Sequence, residues 1–143
     1  MAKSFSFPYI GLPIRNPATK ILLGNIYRPL IPIQIGFNGK HSLLFEALVD
    51  SGADKSIFPL DIGTQIGIDF STLKPNKAKG IGGMIINTYS TPIKLRIKNY
   101  EFQTIADFSD QIDYPLLGRD GFFDLFGKVE FQQIKKKIVL ELI

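Results

Sequence analysis

The chain has 143 residues, of which 45% are hydrophobic and 21% charged, a balance that fits one globular domain and excludes disorder along its whole length. It contains no cysteine, which excludes disulfides and thiolate metal ligands, and we expect no metal and no other cofactor. The net charge is only +4, and its one tight cationic cluster, residues 135–137, lacks interleaved aromatic and glycine residues, so we expect no nucleic-acid partner.

The N-terminus lacks the pattern of a targeting segment. Pro8, Pro13 and Pro17 interrupt the stretch in which a signal peptide would need continuous apolar residues. No apolar run elsewhere reaches the roughly 20 residues of a membrane helix, so we expect no membrane span. These features favour a cytoplasmic or otherwise soluble intracellular protein.

The same prolines predict an extended N-terminal arm over residues 1–27, because proline is excluded from helix interiors and favours extended backbone before it. We expect the arm to contain only short strand pieces, such as residues 21–23. It precedes a single predicted domain over residues 28–143.

The pattern of residues 28–143 is typical of an all-β domain with one or two short helices. Alternating or continuous apolar residues predict strands at residues 30–35, 42–49, 81–97, 100–108, 128–132 and 137–143. Pro59 and Gly67 bracket a predicted helix over residues 60–66, because proline opens helices and glycine ends them. The apolar cluster at residues 122–126 predicts a second short helix, with Asp120 as its candidate N-cap.

The last predicted strand is apolar on both faces over residues 138–143, and on an open sheet edge it would promote aggregation. Two arrangements would protect it. It pairs either with the sheet of a partner subunit or with strands on both sides in its own chain, and this feature alone does not favour one over the other.

The triplet Asp50-Ser51-Gly52 follows an apolar strand end. In isolation such a triplet is typical of a turn or a helix cap. Here we expect a tight, buried loop, and a buried carboxylate needs a partner. Two carboxylates that share a proton meet this need, since one can act as a base on water while the other donates to a substrate carbonyl. The chain has one such triplet, so the pair requires a C2 homodimer in which Asp50 faces its own copy.

Four motifs follow one another along the chain: a strand over residues 28–36, the Asp-Ser-Gly segment at residues 48–54, a glycine-rich stretch at residues 80–85 and an apolar-apolar-Gly-Arg-Asp stretch at residues 116–120. In this order they resemble the motifs of the retropepsins, the retroviral-type aspartic proteases. The four stretches resemble, in turn, the opening strand, the catalytic motif with serine in place of the commoner threonine, the flap tip and the signature before the C-terminal helix of that family. The resemblance implies a closed or partly open β-barrel monomer, a C2 homodimer, and an aspartic endopeptidase.

The resemblance also implies a role for the residues of these motifs. Asp50 is the catalytic acid or base, Ser51 braces the two carboxylates, and Gly52 gives the substrate close access because it lacks a Cβ. The substrate is an extended peptide or protein segment under a closing flap. The residues expected to line it are Ala53, Asp54, Gly80, Ile81, Gly82, Gly83 and Met84.

Charged residues are implied to hold the loop and the dimer together. Arg119 would pair with Asp54 inside the subunit, and Arg28 would reach Asp54 of the partner subunit. Asp120 belongs to the same signature and completes this structural set. The junction Phe7–Pro8 resembles the sites that retroviral proteases cut, which leads to the hypothesis of self-processing.

Two other functions stay open from the sequence. The chain is alternatively a catalytically weak or inactive retropepsin-like module that dimerises or binds peptides. Metal-dependent hydrolysis by Asp50, Asp54 and Asp120 has little support, because no further carboxylates accompany them. The single histidine, His41, gives no basis for a Ser-His-Asp triad or a histidine metal site, and we expect it to be an exposed loop residue.

Overall fold

The computed structural model describes residues 3–79 and 83–143. The strands in these ranges are β1 (Ser4–Pro8), β2 (Ile10–Arg15), β3 (Leu22–Arg28), β4 (Leu30–Phe37), β5 (Lys40–His41), β6 (Phe45–Val49), β7 (Ile57–Pro59), β8 (Asn76–Lys79), β9 (Ile85–Ile97), β10 (Tyr100–Ser109), β11 (Leu116–Leu117), β12 (Phe126–Gln132) and β13 (Lys137–Leu142). The helix α1 (Leu60–Gln65) follows β7 directly. The all-β fold class predicted from the sequence is confirmed. Nowhere in the described ranges is a helix long and apolar enough to cross a membrane.

Six of these strands close into a barrel in the order β4-β6-β11-β7-β10-β9, and β9 pairs back with β4. The β11–β6 and β10–β7 pairs are parallel, whereas the other pairs are antiparallel. The barrel is filled by apolar side chains that are almost completely buried, among them Ile31, Ile33, Ile35, Phe58, Phe108 and Leu117. The pattern of β4 explains this filling, because its isoleucines alternate with the exposed Pro32 and the half-buried Gln34.

The helix α1 begins after Pro59 and is followed by Gly67 at φ +91°, as the two punctuating residues predict. Gly63 lies in the middle of α1, and a Cβ there would come within 2.5 Å of the Phe70 ring. The glycine therefore lets α1 pack closely on the aromatic core around Phe108.

The cluster at residues 122–126 does not form the predicted helix capped by Asp120. It makes one 3-10 turn, Phe123–Leu125, and the carboxylate that accepts a backbone N–H there is Asp124, from Gly121 at 3.1 Å. Phe122 is completely buried, so the segment follows the shape of the core rather than a helical repeat.

The two chain ends meet in a three-stranded sheet with the order β1-β13-β12. The terminal strand β13 is central, paired with β1 on one side and β12 on the other, so the internal arrangement is the one found. Phe7 of β1 pairs with Ile138 and is buried. Cleavage at Phe7–Pro8 would therefore require β1 to leave this sheet.

The strands β2 and β3 form a separate two-stranded sheet. Their ribbon connects β1 to β4, and none of its residues belongs to the hydrophobic core or packs against it. The short strand pieces expected before residue 28 are present as β1, β2 and β3, but their pairing was not predicted.

Candidate active site

Asp50 lies where the chain leaves β6, at one end of the barrel. Its backbone N–H donates to the Leu117 carbonyl at 3.0 Å, and its own carbonyl accepts from Ala53 N–H at 3.2 Å. The side-chain Oδ1 accepts the N–H of Gly52 at 2.9 Å, which fixes the carboxylate against the turn. Asp50 is half-buried, while Ser51 and Gly52 are exposed. The expected burial of the whole loop is therefore wrong for a single chain.

A crossing of two backbone segments holds this loop in place. The short strand β11 lies between β6 and β7 and pairs with both. Just after it, Gly118 passes so close to the loop that a Cβ would meet the Lys55 carbonyl oxygen at 2.4 Å and that of Ala53 at 2.9 Å. Arg119 N–H donates to the Ala53 carbonyl at 2.9 Å. The crossing fixes the loop through backbone atoms, which is a more rigid attachment than side-chain contacts.

Charged residues on the two crossing segments also contact each other. The Arg119 guanidinium donates to the Asp54 carboxylate, and Asp120 N–H donates to the Asp54 carbonyl at 2.8 Å. The Asp54 side chain is nevertheless 81% exposed, so the pair lies at the surface. Within residues 3–79 and 83–143, no three His, Asp or Glu side chains group together in a way that could hold a metal ion.

Arg28 ends β3 and is exposed. The carbonyl of the next residue, Pro29, accepts the N–H of Val49 at 3.0 Å. Because Val49 directly precedes Asp50, Arg28 lies close to the Asp50 loop. In the described part of the chain no carboxylate lies within ion-pairing distance of its guanidinium.

The predicted flap corresponds to the hairpin of β8 and β9, in which Lys79 pairs with Ile85. Gly80, Ile81 and Gly82, predicted for the tip, lie outside the described residues. Gly83 has φ +80°, a left-handed conformation that glycine adopts without strain, and Met84 is 64% exposed. These two residues have the geometry and exposure of a hairpin end.

The site also depends on two buried polar residues that the sequence analysis missed. The Ser56 hydroxyl accepts the N–H of Gly118 at 3.1 Å and donates to the Asp120 carbonyl at 3.3 Å, so it joins both segments of the crossing. Asp107 of β10 is 3% exposed and accepts from the Ser90 hydroxyl at 2.6 Å. Ser56 directly precedes β7 and Asp107 lies within β10, and neither belongs to a recognisable motif, so no local sequence signal singles them out.

Sequence comparison gives the family. The sequence model of the family described as retroviral aspartyl protease matches residues 25–130. The chain belongs to this family. The match includes the Asp50 loop, the β8–β9 hairpin and the crossing segment at residues 116–120. No curated protein matches the sequence.

Solved structures of retroviral-type aspartyl proteases are also similar to the chain. A retropepsin-like aspartic protease from Rickettsia conorii has 16% identity and a TM-score of 0.60, over 99% of this chain and 94% of that one, and it supports the retropepsin fold. EIAV protease complexed with the inhibitor HBY-793 has 26% identity and a TM-score of 0.47, over 64% of this chain and 82% of that one.

The family match leaves out parts of the chain at both ends. Strands β1 and β2 precede residue 25, and β13 follows residue 130. β1 and β13 belong to the terminal sheet, and β2 is one strand of the two-stranded ribbon. The expected division between an arm and a domain after residue 27 stays a prediction.

Proposed function

We propose that this retropepsin-like protein is an aspartic endopeptidase that acts as a C2 homodimer, with one Asp50 from each subunit. The observation that carries the proposal is the geometry of Asp50: a half-buried carboxylate, held through Oδ1 by the N–H of Gly52, on a loop fixed by the β11 crossing. The chain has one such loop, and two facing carboxylates are needed to hold one proton between them.

The proposed reaction is direct attack of water on the peptide carbonyl. The ionised Asp50 removes a proton from the water as its oxygen bonds to the carbonyl carbon, and the protonated Asp50 of the other subunit donates to the carbonyl oxygen. In the second step the Asp50 that took the water proton donates it to the nitrogen as the C–N bond breaks, and the other Asp50, now ionised, takes a proton from a hydroxyl of the tetrahedral intermediate. The products are a carboxylic acid and an amine, and one proton is again shared between the two carboxylates. Ser51 would hydrogen-bond across the pair and fix the distance between the two carboxylates.

The substrate in this proposal is an extended peptide that lies between the Asp50 loop and the β8–β9 hairpin. The exposed Gly52 leaves room beside the carboxylate, since a Cβ there would stand 3.3 Å from Asp50 Oδ1. The exposed Met84 of the hairpin would contact the peptide from the other side when the flap closes. Arg28 would pair with the exposed Asp54 of the partner subunit, and Arg119 would hold that carboxylate from within its own subunit.

The test is cleavage of an unstructured protein, labelled casein, by the wild type and by Asp50→Asn. We expect Asp50→Asn to lower the rate at least about 100-fold, because it removes the acid–base pair, while sedimentation equilibrium still gives a dimer. Asp61→Asn, an exposed change in the first turn of α1, is the matched control and should keep the wild-type rate.

Two results would contradict the proposal in different ways. If Asp50→Asn cleaved as fast as the wild type, Asp50 would not be the catalytic acid or base. If the wild type formed a dimer and bound the transition-state analogue pepstatin or a peptide without cleaving any substrate, the peptide-binding module would be the better assignment.

A further inference from the structure

The ribbon of β2 and β3 carries an apolar face that no part of the described chain covers. Leu12 pairs directly with Ile26, and Ile10 and Ile14 lie on the same side of the ribbon because side chains two apart share a face. Leu12, Ile14 and Ile26 are between 36% and 43% exposed. At the far end Leu22 and Leu23 are more than half exposed.

A ribbon of this kind is not expected to be stable on its own in water. An isolated two-stranded hairpin is marginal, and it gains stability when its apolar face is packed against another surface. In this chain the contact to the body is on the opposite face, where Tyr27 lies over Gly11 and the Lys136 ammonium stands 5.8 Å from the Tyr27 ring. The face with Leu12 and Ile26 therefore has the composition of a buried surface and the exposure of an interface.

We propose that this face of the ribbon, residues 10–28, docks on a second copy of the same chain and supplies the main association surface of the dimer. The inference rests on the proposed function, which needs two Asp50 loops side by side. It adds the element that brings them together, an element that lies mostly ahead of the matched family region.

The position of the ribbon favours a second copy over other occupants. Its last residue, Arg28, is followed by Pro29, whose carbonyl accepts the N–H of Val49 at 3.0 Å, directly before Asp50. The ribbon therefore leaves the body beside the loop at which the second copy must stand. In a C2 dimer each subunit gives one ribbon and receives one, so the apolar area that is buried doubles.

The C-terminal strand is not available as the association surface. Both edges of β13 are occupied by β1 and β12 of the same chain, so the C-terminal strand has no free edge to offer to a partner.

The charge of Arg28 also favours a second copy of the chain as the occupant. Arg28 shares the face of Leu12 and Ile26, has no carboxylate within ion-pairing distance in the described ranges, and could meet the 81% exposed Asp54 of the partner subunit.

The experiment compares the dimer dissociation constants of two double variants by sedimentation equilibrium. Leu12→Ser with Ile26→Ser removes the central pair of the ribbon face, and Leu43→Ser with Leu44→Ser removes two residues that are 86% and 68% exposed outside the ribbon. We expect the ribbon variant to raise the dissociation constant at least about 10-fold, since buried apolar anchors dominate interface energies. The control should bind as the wild type does.

Activity then separates this inference from the proposed function. In the ribbon variant, casein cleavage per subunit should fall at low protein concentration and return to the wild-type value when concentration restores the dimer. When the ribbon substitutions are combined with Asp50→Asn in one chain, the dimer dissociation constant can be measured without any catalysis. Far-UV circular dichroism checks folding, and Ile14→Ser provides an independent ribbon variant on the same face.

Three outcomes would overturn the inference. An unchanged dissociation constant in both ribbon variants would show that the face does not hold the dimer, while the proposed function could still stand. A wild type that is monomeric yet binds phosphatidylserine vesicles through the ribbon would assign the face to lipid. A wild type that cleaves casein as a monomer would contradict the proposed function itself.

Discussion

Gly118→Ala tests the backbone crossing that holds the Asp50 loop. Gly118 is buried and has no left-handed φ, so the effect of a Cβ there is steric. The new atom would lie 2.4 Å from the Lys55 oxygen, and ordinary contact begins at 3.4 Å, so the two segments must separate by about 1 Å. The hydrogen bonds that Arg119 and Asp120 donate to the loop, at 2.9 and 2.8 Å, would break with this movement.

The expected loss in the free energy of unfolding is the sum of the steric clash and the lost hydrogen bonds. Overpacking against backbone costs about 1–3 kcal/mol, and two lost hydrogen bonds add about 1 kcal/mol each. The free energy of unfolding should therefore fall by about 3–5 kcal/mol, which moves the urea midpoint down by about 2 M at a typical m-value. The chain has no tryptophan, so unfolding is followed by far-UV circular dichroism.

Gly127→Ala is the matched control for Gly118→Ala. Gly127 also has an ordinary φ, but the nearest atom to its Cβ would be the Leu142 oxygen at 3.3 Å. We expect its midpoint to change by less than about 0.5 M. If Gly118→Ala stayed within the same range, the crossing would tolerate a side chain and the steric argument would be wrong.

Two further predictions concern polar groups. Ser90→Ala removes the 2.6 Å hydrogen bond to the buried Asp107 and should lower the free energy of unfolding by about 1–3 kcal/mol in urea titrations. The control Ser71→Ala removes a hydrogen bond of 2.6 Å to the exposed Asp69 carboxylate and should lower the free energy of unfolding by less than half as much. Equal losses in the two variants would argue that burial of the acceptor does not matter. The hydrogen bond from Arg96 lowers the pKa of Glu101, so the stabilisation it brings is present above the unfolded pKa and is lost as the pH falls through the folded pKa. Arg96→Gln should raise the pKa of Glu101 towards 4.5 in an NMR titration, and an unchanged pKa would exclude this hydrogen bond as the cause.

The elements with local signals were predicted from the sequence. The barrel strands follow apolar alternation, and α1 lies between Pro59 and Gly67 as those residues indicate. The Asp50 triplet was recognised because strand, acid, small residue and glycine are adjacent in the chain. Such features depend on the dihedral preferences and side-chain periods of a few neighbouring residues.

The features that were missed depend on contacts between distant residues. Ser56 joins Gly118 and Asp120, more than sixty positions away, and no neighbour of Ser56 indicates that partner. The pairing of β1 with β13 likewise joins the two ends of the chain. The helix predicted at residues 122–126 is a 3-10 turn because burial of Phe122 outweighs the weak helical preference of three phenylalanines.

The terminal sheet has a consequence for how the proposed activity would be controlled. Because β1, β12 and β13 come from one chain, a subunit completes this sheet without waiting for a partner. Folding and association then become separate events, and heat or urea stability should hardly depend on protein concentration as long as that concentration stays below the dimer dissociation constant. Activity of the proposed dimer, in contrast, would grow with the square of concentration well below the dissociation constant. If the proposed function holds, the chain would be inactive while dilute and would cleave substrates only where many copies accumulate.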